Sequence, residues 1–253
     1  MNRQRAAMLA RLSDLAYSPI EQVRKLHPSA DIELVDVDNS QALLFSWDDM
    51  AAVACRGTQV TENWSWADIE SNILGDEYRT FLGIKYRVPL EMVPWYGAGI
   101  MAHPGYAEAT RDLVPRVGDF IRKNQIKHKK TYGTGHSLGG SLMTGLASVL
   151  DFEESHTFGA PRFGNKNLAN LFEGKRHYRI VYEQDVAPSF PSPAWGYRHV
   201  GERWQLSKDG SLVQGQEWRD LIHFPIAKGF LDHRVGNYVT HLKHPSVHRE
   251  GTL

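Results

Sequence analysis

At 253 residues and 42 % hydrophobic content the chain can bury a sizeable core, and one undivided domain spanning residues 1–253 is the expected organisation. Twenty-nine Lys plus Arg balance 29 Asp plus Glu, which argues against nucleic acid or an anionic membrane as partner. No stretch approaches the roughly 18 apolar residues of a transmembrane helix, and the single cysteine, Cys55, excludes an intrachain disulfide.

Residues 1–10 are interrupted by arginine and polar side chains and lack the continuous apolar run of a secretory leader. The expectation is a cytoplasmic protein, or one exported by a route that leaves no such signal. Residues 51–54, all apolar, read as a buried strand that runs into the turn Arg56-Gly57-Thr58, with Cys55 as a small buried residue beside it. The segment 74–101 carries Tyr78, Phe81, Tyr86, Trp95 and Tyr96 and reads as a β-excursion or as a cover over a site. The basic run Lys127-His128-Lys129-Lys130 reads as a solvated loop ahead of a strand.

The most informative stretch is 132–142, YGTGHSLGGSL. Gly135, Ser137 and Gly139 form Gly-x-Ser-x-Gly, in which the glycines permit a sharp strand-to-helix turn that exposes the serine oxygen. Three fixed positions are weak evidence alone, but the flanks agree. Residues 129–134 can enter a sheet, and Leu138, Leu142, Leu146, Val149 and Leu150 recur at helical spacing. Ser137 is therefore the candidate nucleophile, while Ser141 and Ser148 read as packing or surface residues. The backbone N–H of Leu138, just after the elbow, is the expected donor to an oxyanion.

A serine nucleophile needs a base and an acid that orients it, and hydrolases with this elbow supply them in the chain order Ser, Asp or Glu, His. A β-type run at 179–182 leads to Asp185, after which Pro188, Pro191 and Pro193 break regular structure. Asp185 thus sits just past a strand's carboxyl end; a turn-capping aspartate is the plainer account of the same position. Five histidines follow residue 220. His233 is preferred because Val235, Tyr238, Val239 and Leu242 can form a helix that packs its imidazole, but His223, His241, His244 and His248 compete on position alone.

Several segments in order resemble the class 3, or fungal-type, lipases of the α/β-hydrolase fold. Cys55-Arg56-Gly57-Thr58 is similar to that family's RGT/RGS turn, and Asn63-Trp64 with Asp68 to the residues that follow it. His103-Pro104-Gly105-Tyr106 is similar to its HxGF/Y turn. GHSLGG, then TFGAPRFGN at 157–165, EQDVAPSFP at 183–191 and DHRVGNY at 232–238 continue the series, and MLARLSDLAYS at 8–18 resembles its first helix.

The resemblance implies a central, mostly parallel sheet flanked by helices, with Ser137 as nucleophile, Asp185 as orienting acid and His233 as general base. It implies Thr58 as the second oxyanion donor beside Leu138, with Asp68 holding the Thr58 hydroxyl. It places a lid within a cover region at about 59–102, its apolar residues Val60, Trp64 and Trp66 able to meet a lipid interface transiently, with burial of both tryptophans in the core as the equal alternative. No metal and no organic cofactor is implied. The expected activity is acyl hydrolysis of acylglycerols or phospholipids. The alternatives are an esterase on soluble esters and a non-catalytic lipid- or ligand-binding module on the same scaffold.

Overall fold

The computed structural model describes residues 1–38, 40–57, 91–215, 229 and 231–243, with the backbone of 77–81 and 84–88. The chain opens with α1 (Arg3–Leu15) and α2 (Ile20–Leu26), followed by β1 (Asp31–Val37), β2 (Ser40–Ser46) and β3 (Met50–Cys55). Helix α1 starts earlier than the resemblance suggests because the Asn2 side chain accepts from the Arg5 N–H at 3.0 Å and caps it. Next come β4 (Glu77–Phe81), β5 (Ile84–Val88), β6 (Val93–Pro94) and β7 (Met101–Ala102). β4 pairs with β5 and β6 with β7, both antiparallel, which bears out the β-excursion expected within 74–101. Thr58, Asp68 and the lid residues Val60, Trp64 and Trp66 lie outside the described residues.

The remaining elements are α3 (Pro104–Ile126), β8 (Lys130–His136), α4 (Leu138–Val149), β9 (Glu154–Phe158), α5 (Lys166–Asn170), β10 (His177–Tyr182), β11 (Glu202–Leu206), β12 (Leu212–Gln214) and α6 (Val235–Lys243). Among the described residues, eight strands form one sheet in the order β1-β2-β3-β8-β9-β10-β11-β12. β3, β8, β9, β10 and β11 run parallel; β1 and β2 on one side and β12 on the other are antiparallel additions.

Strands β8, β9 and β10 are buried almost throughout, as strands covered on both faces must be. Alternation in β3 shows the two layers. Ala52 and Ala54 join Leu9 and Leu12 of α1 and Tyr238 and Leu242 of α6, whereas Val53 and Cys55 join Leu113 of α3 and Leu142 of α4. Cys55 is fully buried, and burial pushes its thiol pKa up, so it is a packing residue. Arg3 ties the first helix to the last, donating to the carbonyls of Leu242 (3.1 Å) and His241 (2.8 Å) at the C-terminal turn of α6.

The basic run at 127–130 is only partly solvated. Lys129 turns back onto the sheet, donating to Ser46 Oγ at 3.1 Å and to the Trp47 carbonyl, while Lys130 pairs with Glu153 at 3.3 Å. No described helix is long and apolar enough to cross a membrane.

Candidate active site

The three neighbouring parallel strands β8, β9 and β10 end at one edge of the sheet, and each delivers a residue there. Ser137 follows β8 directly. Its backbone stands at φ 58°, ψ −130°, outside the regions an L-residue favours, a strain of about 1–3 kcal/mol that the surroundings must impose. They do so by close approach. A Cβ on Gly135 would lie 2.2 Å from the Gly139 carbonyl oxygen, and one on Gly139 would lie 2.3 Å from that of Cys55. Strand, turn and helix can cross here only without those side chains. The Ser137 N–H donates to the Phe158 carbonyl at 3.0 Å, and the Ser141 hydroxyl to that of Pro161 at 3.1 Å, so the elbow is also pinned to the β9 loop. Trp95 Nε1 donates to Ser148 Oγ at 2.8 Å, which makes that serine a packing residue, as expected.

Asp185 lies three residues past β10, and His233 in the turn before α6. His233 Nε2 is 2.8 Å from Ser137 Oγ, and its Nδ1 is 2.9 Å from each oxygen of Asp185. The structure therefore brings together the three residues expected from the sequence, and it resolves the choice among the described histidines. His241 stacks on Tyr182 instead, with ring centroids 5.0 Å apart. His223, His244 and His248 lie outside the described residues.

The Asp185 carboxylate is buried and held from three sides. Burial alone would raise its pKa, but the facing His233, the Tyr238 hydroxyl at 2.5 Å and the Ala187 N–H at 2.9 Å hold it below the ordinary value. It stays ionised across the neutral range. The Tyr238 hydroxyl also accepts from the Tyr182 N–H at 3.1 Å, which fixes its orientation.

From the sequence Tyr238 reads only as a helix-packing residue, and its one signal is its place one turn into the helix that follows the histidine. Gly159 has no sequence signal of its own; it follows β9 at φ 57° with Asp185, His233 and Tyr238 packed around the space a side chain would fill. Arg162, almost fully buried, donates to the carbonyls of Ser189 (2.6 Å) and Pro191 (3.0 Å) and so anchors the proline-rich loop after Asp185. Asp232, beside the candidate base, accepts from the Gln184 N–H at 3.2 Å and joins the acid and base loops.

Leu138 is the first residue of α4, where backbone N–H groups have no partner within the helix and the helix dipole favours negative charge. Among the described residues no cluster of His, Cys, Asp and Glu could hold a metal ion.

Residues 52–195, more than half of the chain, match the family described as lipase (class 3). The lipase of Rhizomucor miehei is 28 % identical over 194 residues, covering 64 % of this chain and 52 % of that protein. The secreted mono- and diacylglycerol lipase 1 of Fusarium solani is 30 % identical over 117 residues, covering 43 % and 35 %. The chain thus spans about half the length of the first relative and about a third of the second.

The fold is that of solved lipases. Lipase II from Rhizopus niveus superposes with a TM-score of 0.64 at 20 % identity, covering 80 % of each chain. A triacylglycerol lipase whose catalytic centre is described as a serine protease triad gives 0.64 at 19 %, covering 93 % of this chain and 92 % of the other. The matched segment contains Ser137 and Asp185 but ends before His233, whose place rests on the hydrogen bonds above. With the elbow, the α/β-hydrolase sheet and the match over 52–195 in agreement, the chain belongs to the class 3 lipase family.

Proposed function

We propose that this chain is a serine hydrolase that cleaves carboxylic esters of lipids, acylglycerols or phospholipids, through an acyl-enzyme on Ser137. The observation that carries the reading is the continuous hydrogen-bonded series Ser137–His233–Asp185 at 2.8 and 2.9 Å. Asp185, ionised, can only accept, so the His233 proton resides on Nδ1 and the Nε2 lone pair faces the serine hydroxyl. As Oγ bonds to the ester carbonyl carbon, Nε2 takes the hydroxyl proton, and the adjacent carboxylate stabilises the imidazolium that results.

Collapse of the tetrahedral intermediate breaks the bond to the alcohol oxygen, which leaves with the proton from His233. Water then adds to the acyl-enzyme while His233 takes one of its protons. The acid departs as that proton returns to Ser137.

Negative charge on the carbonyl oxygen is met by the Leu138 N–H, with Thr58 as the second donor and Asp68 holding the Thr58 hydroxyl. Removing one such donor costs on the order of 10²–10³ in rate. The lipid side of the reading is supported by the relatives, which are named as lipases, and by the tryptophans of the proposed lid at 59–66. A reducing, cytoplasmic setting belongs to the same proposal and is supported by the lone buried cysteine.

The test is hydrolysis of p-nitrophenyl esters from acetate to palmitate, carried across each ester's solubility limit, with Ser137→Ala alongside. Activity lost in the variant, long-chain preference and a rise above the solubility limit are expected. Short-chain preference without that rise would make it an esterase on soluble esters. No turnover and no fluorophosphonate labelling of Ser137 would leave a binding module on a hydrolase scaffold.

A further inference from the structure

Next to the proposed catalytic histidine lies a second one whose ring is hydrogen-bonded to neither Asp185 nor Ser137. His136, the last residue of β8, is buried, and its ring sits 4.7 Å from that of His233, tilted by 31°. Its Nε2 is 2.6 Å from the backbone carbonyl oxygen of His233. Its Nδ1 is 3.0 Å from the hydroxyl of Tyr17, just beyond α1. The Tyr17 hydroxyl also packs against Gly57, the residue immediately before Thr58: a Cβ on that glycine would lie 2.2 Å from the phenol oxygen.

Donor and acceptor requirements fix every proton in this series. A carbonyl oxygen only accepts, so His136 Nε2 carries the hydrogen. Burial, with His233 alongside, lowers the His136 pKa to about 3, so the ring is neutral and its Nδ1 is a bare acceptor. The Tyr17 hydroxyl must then donate to Nδ1; the His136 carbonyl, 3.4 Å away, is its longer alternative. The series runs in one direction, Tyr17 to His136 to the His233 carbonyl, and neither donor can reverse without leaving two donors or two acceptors face to face.

We propose that Tyr17 and His136 form a positioning relay that grips the backbone of His233 and references the base to the oxyanion turn at Gly57. Hydrogen bonds from Asp185 and Ser137 constrain the imidazole ring, but both are disturbed each time the proton moves. The relay holds the backbone beneath that ring through groups that never change protonation during turnover. It also connects two loops: the phenol just beyond α1 touches Gly57, which precedes the proposed oxyanion donor Thr58, and reaches the turn at 233 through His136. Tyr17 and His136 touch no reacting atom, so they are positioning residues.

The inference rests on the ester-hydrolase reading for its kinetic consequence, not for its structural one. The first measurement is ¹⁵N imidazole NMR of the whole chain near neutral pH, with His136 assigned by difference against His136→Gln. A locked Nε2–H tautomer is expected; an Nδ1–H tautomer, or averaging between the two, would overturn the relay whether or not the protein hydrolyses esters.

The second is kcat and KM on a soluble p-nitrophenyl ester, per Ser137 titrated with fluorophosphonate. Tyr17→Phe should lower kcat about tenfold and His136→Leu about 10²-fold, each with KM within about twofold, because a misplaced base slows chemistry and not binding. His136→Gln, whose amide N–H can reach the same carbonyl, should recover most of kcat. Unchanged kcat in Tyr17→Phe, or losses accounted for wholly by fewer titratable sites, would show a merely structural pair. A wild-type chain that is neither labelled nor active would instead refute the hydrolase reading and leave the tautomer result standing.

Discussion

Adding one methyl group at Gly159 tests whether the acid and base are held by packing as well as by hydrogen bonds. A Cβ there would lie 2.3 Å from Asp185 Oδ2 and 3.0 Å from both His233 Nδ1 and the Tyr238 hydroxyl. Ordinary van der Waals contact begins at 3.4 Å, so the carboxylate oxygen must retreat by 3.4 − 2.3, about 1.1 Å. That oxygen is 2.9 Å from His233 Nδ1, and a retreat of that size breaks the bond on this side. The backbone at φ 57° adds about 1–2 kcal/mol for a residue with a Cβ, and overpacking about 1–3 kcal/mol. Gly159→Ala is therefore expected to destabilise the fold by about 2–5 kcal/mol, or roughly 5–15 °C in Tm. It should lower kcat on a soluble p-nitrophenyl ester by about 10²-fold, since misplacement near 1 Å costs that much. Thermal melting and kcat per labelled serine read the two effects separately. A variant with wild-type kcat and a Tm within about a degree would refute the argument, because the loop would then yield at no cost.

Tyr238→Phe removes the hydroxyl that donates to Asp185 and accepts from Tyr182. A hydrogen bond to a charged group contributes about 1.5–3 kcal/mol, and a loss of stability in that range is expected, measured by denaturant titration at pH 7. The folded-state pKa of Asp185 is depressed, so its contribution is present above the ordinary carboxylate value and lost as pH falls. Without the hydroxyl that loss should begin at higher pH, which a melting series from pH 7 to 3 would show.

Glu154→Gln probes the opposite end of β9. There the carboxylate bonds to His156 at 3.3 Å and to Arg5 of α1 at 2.6 Å. The His156 bond, offset by burial and reinforced by Arg5, lowers the Glu154 pKa from 4.5 to about 2. The depressed Glu154 pKa contributes stability that is present above the ordinary carboxylate value and lost as pH falls toward 2, and the variant should show a flatter acid limb of Tm.

What the sequence made legible divides along a physical line. The elbow could be read because its requirement is local: two glycines allow three pieces of backbone to cross within a few residues, and the flanking periodicities are one-dimensional signals. The β-type run at 179–182 ends where β10 ends, whereas the run at 129–134 stops two residues short of the end of β8, because Gly135 and His136 carry no strand signal of their own. Tyr17, Gly159 and Tyr238 could not be assigned roles, because each acts on a group far away in sequence. Tyr238 reaches an aspartate 53 positions back, and Tyr17 a histidine 119 positions on. Nothing in the neighbourhood of such a residue distinguishes it from ordinary core. The resemblance to class 3 lipases supplied the missing long-range pairing for Ser137, Asp185 and His233, but it carried no role for the residues that hold them.

The histidines show why residue type and burial do not suffice to find a base. Among the described residues, His136, His156, His177 and His233 all lie on or beside strands β8 to β10, and the chemistry open to each is set by its partners. His156 has a carboxylate, Glu154, but no serine; burial lowers its pKa further than the carboxylate restores it. His177 has a serine hydroxyl, Ser155 Oγ at 2.7 Å, but it is buried among cations and its pKa falls to about 3, so it cannot take the proton. His136 has a carbonyl on one nitrogen and a phenol on the other, an arrangement that freezes one tautomer. His233 alone of these four has a hydroxyl on one nitrogen and an ionised carboxylate on the other, the combination in which a proton can arrive from one side while the charge it brings is met from the other. General-base chemistry is thus a property of the pair of partners, and only the parallel order β8-β9-β10, with α6 closing behind it, brings that pair to the same imidazole.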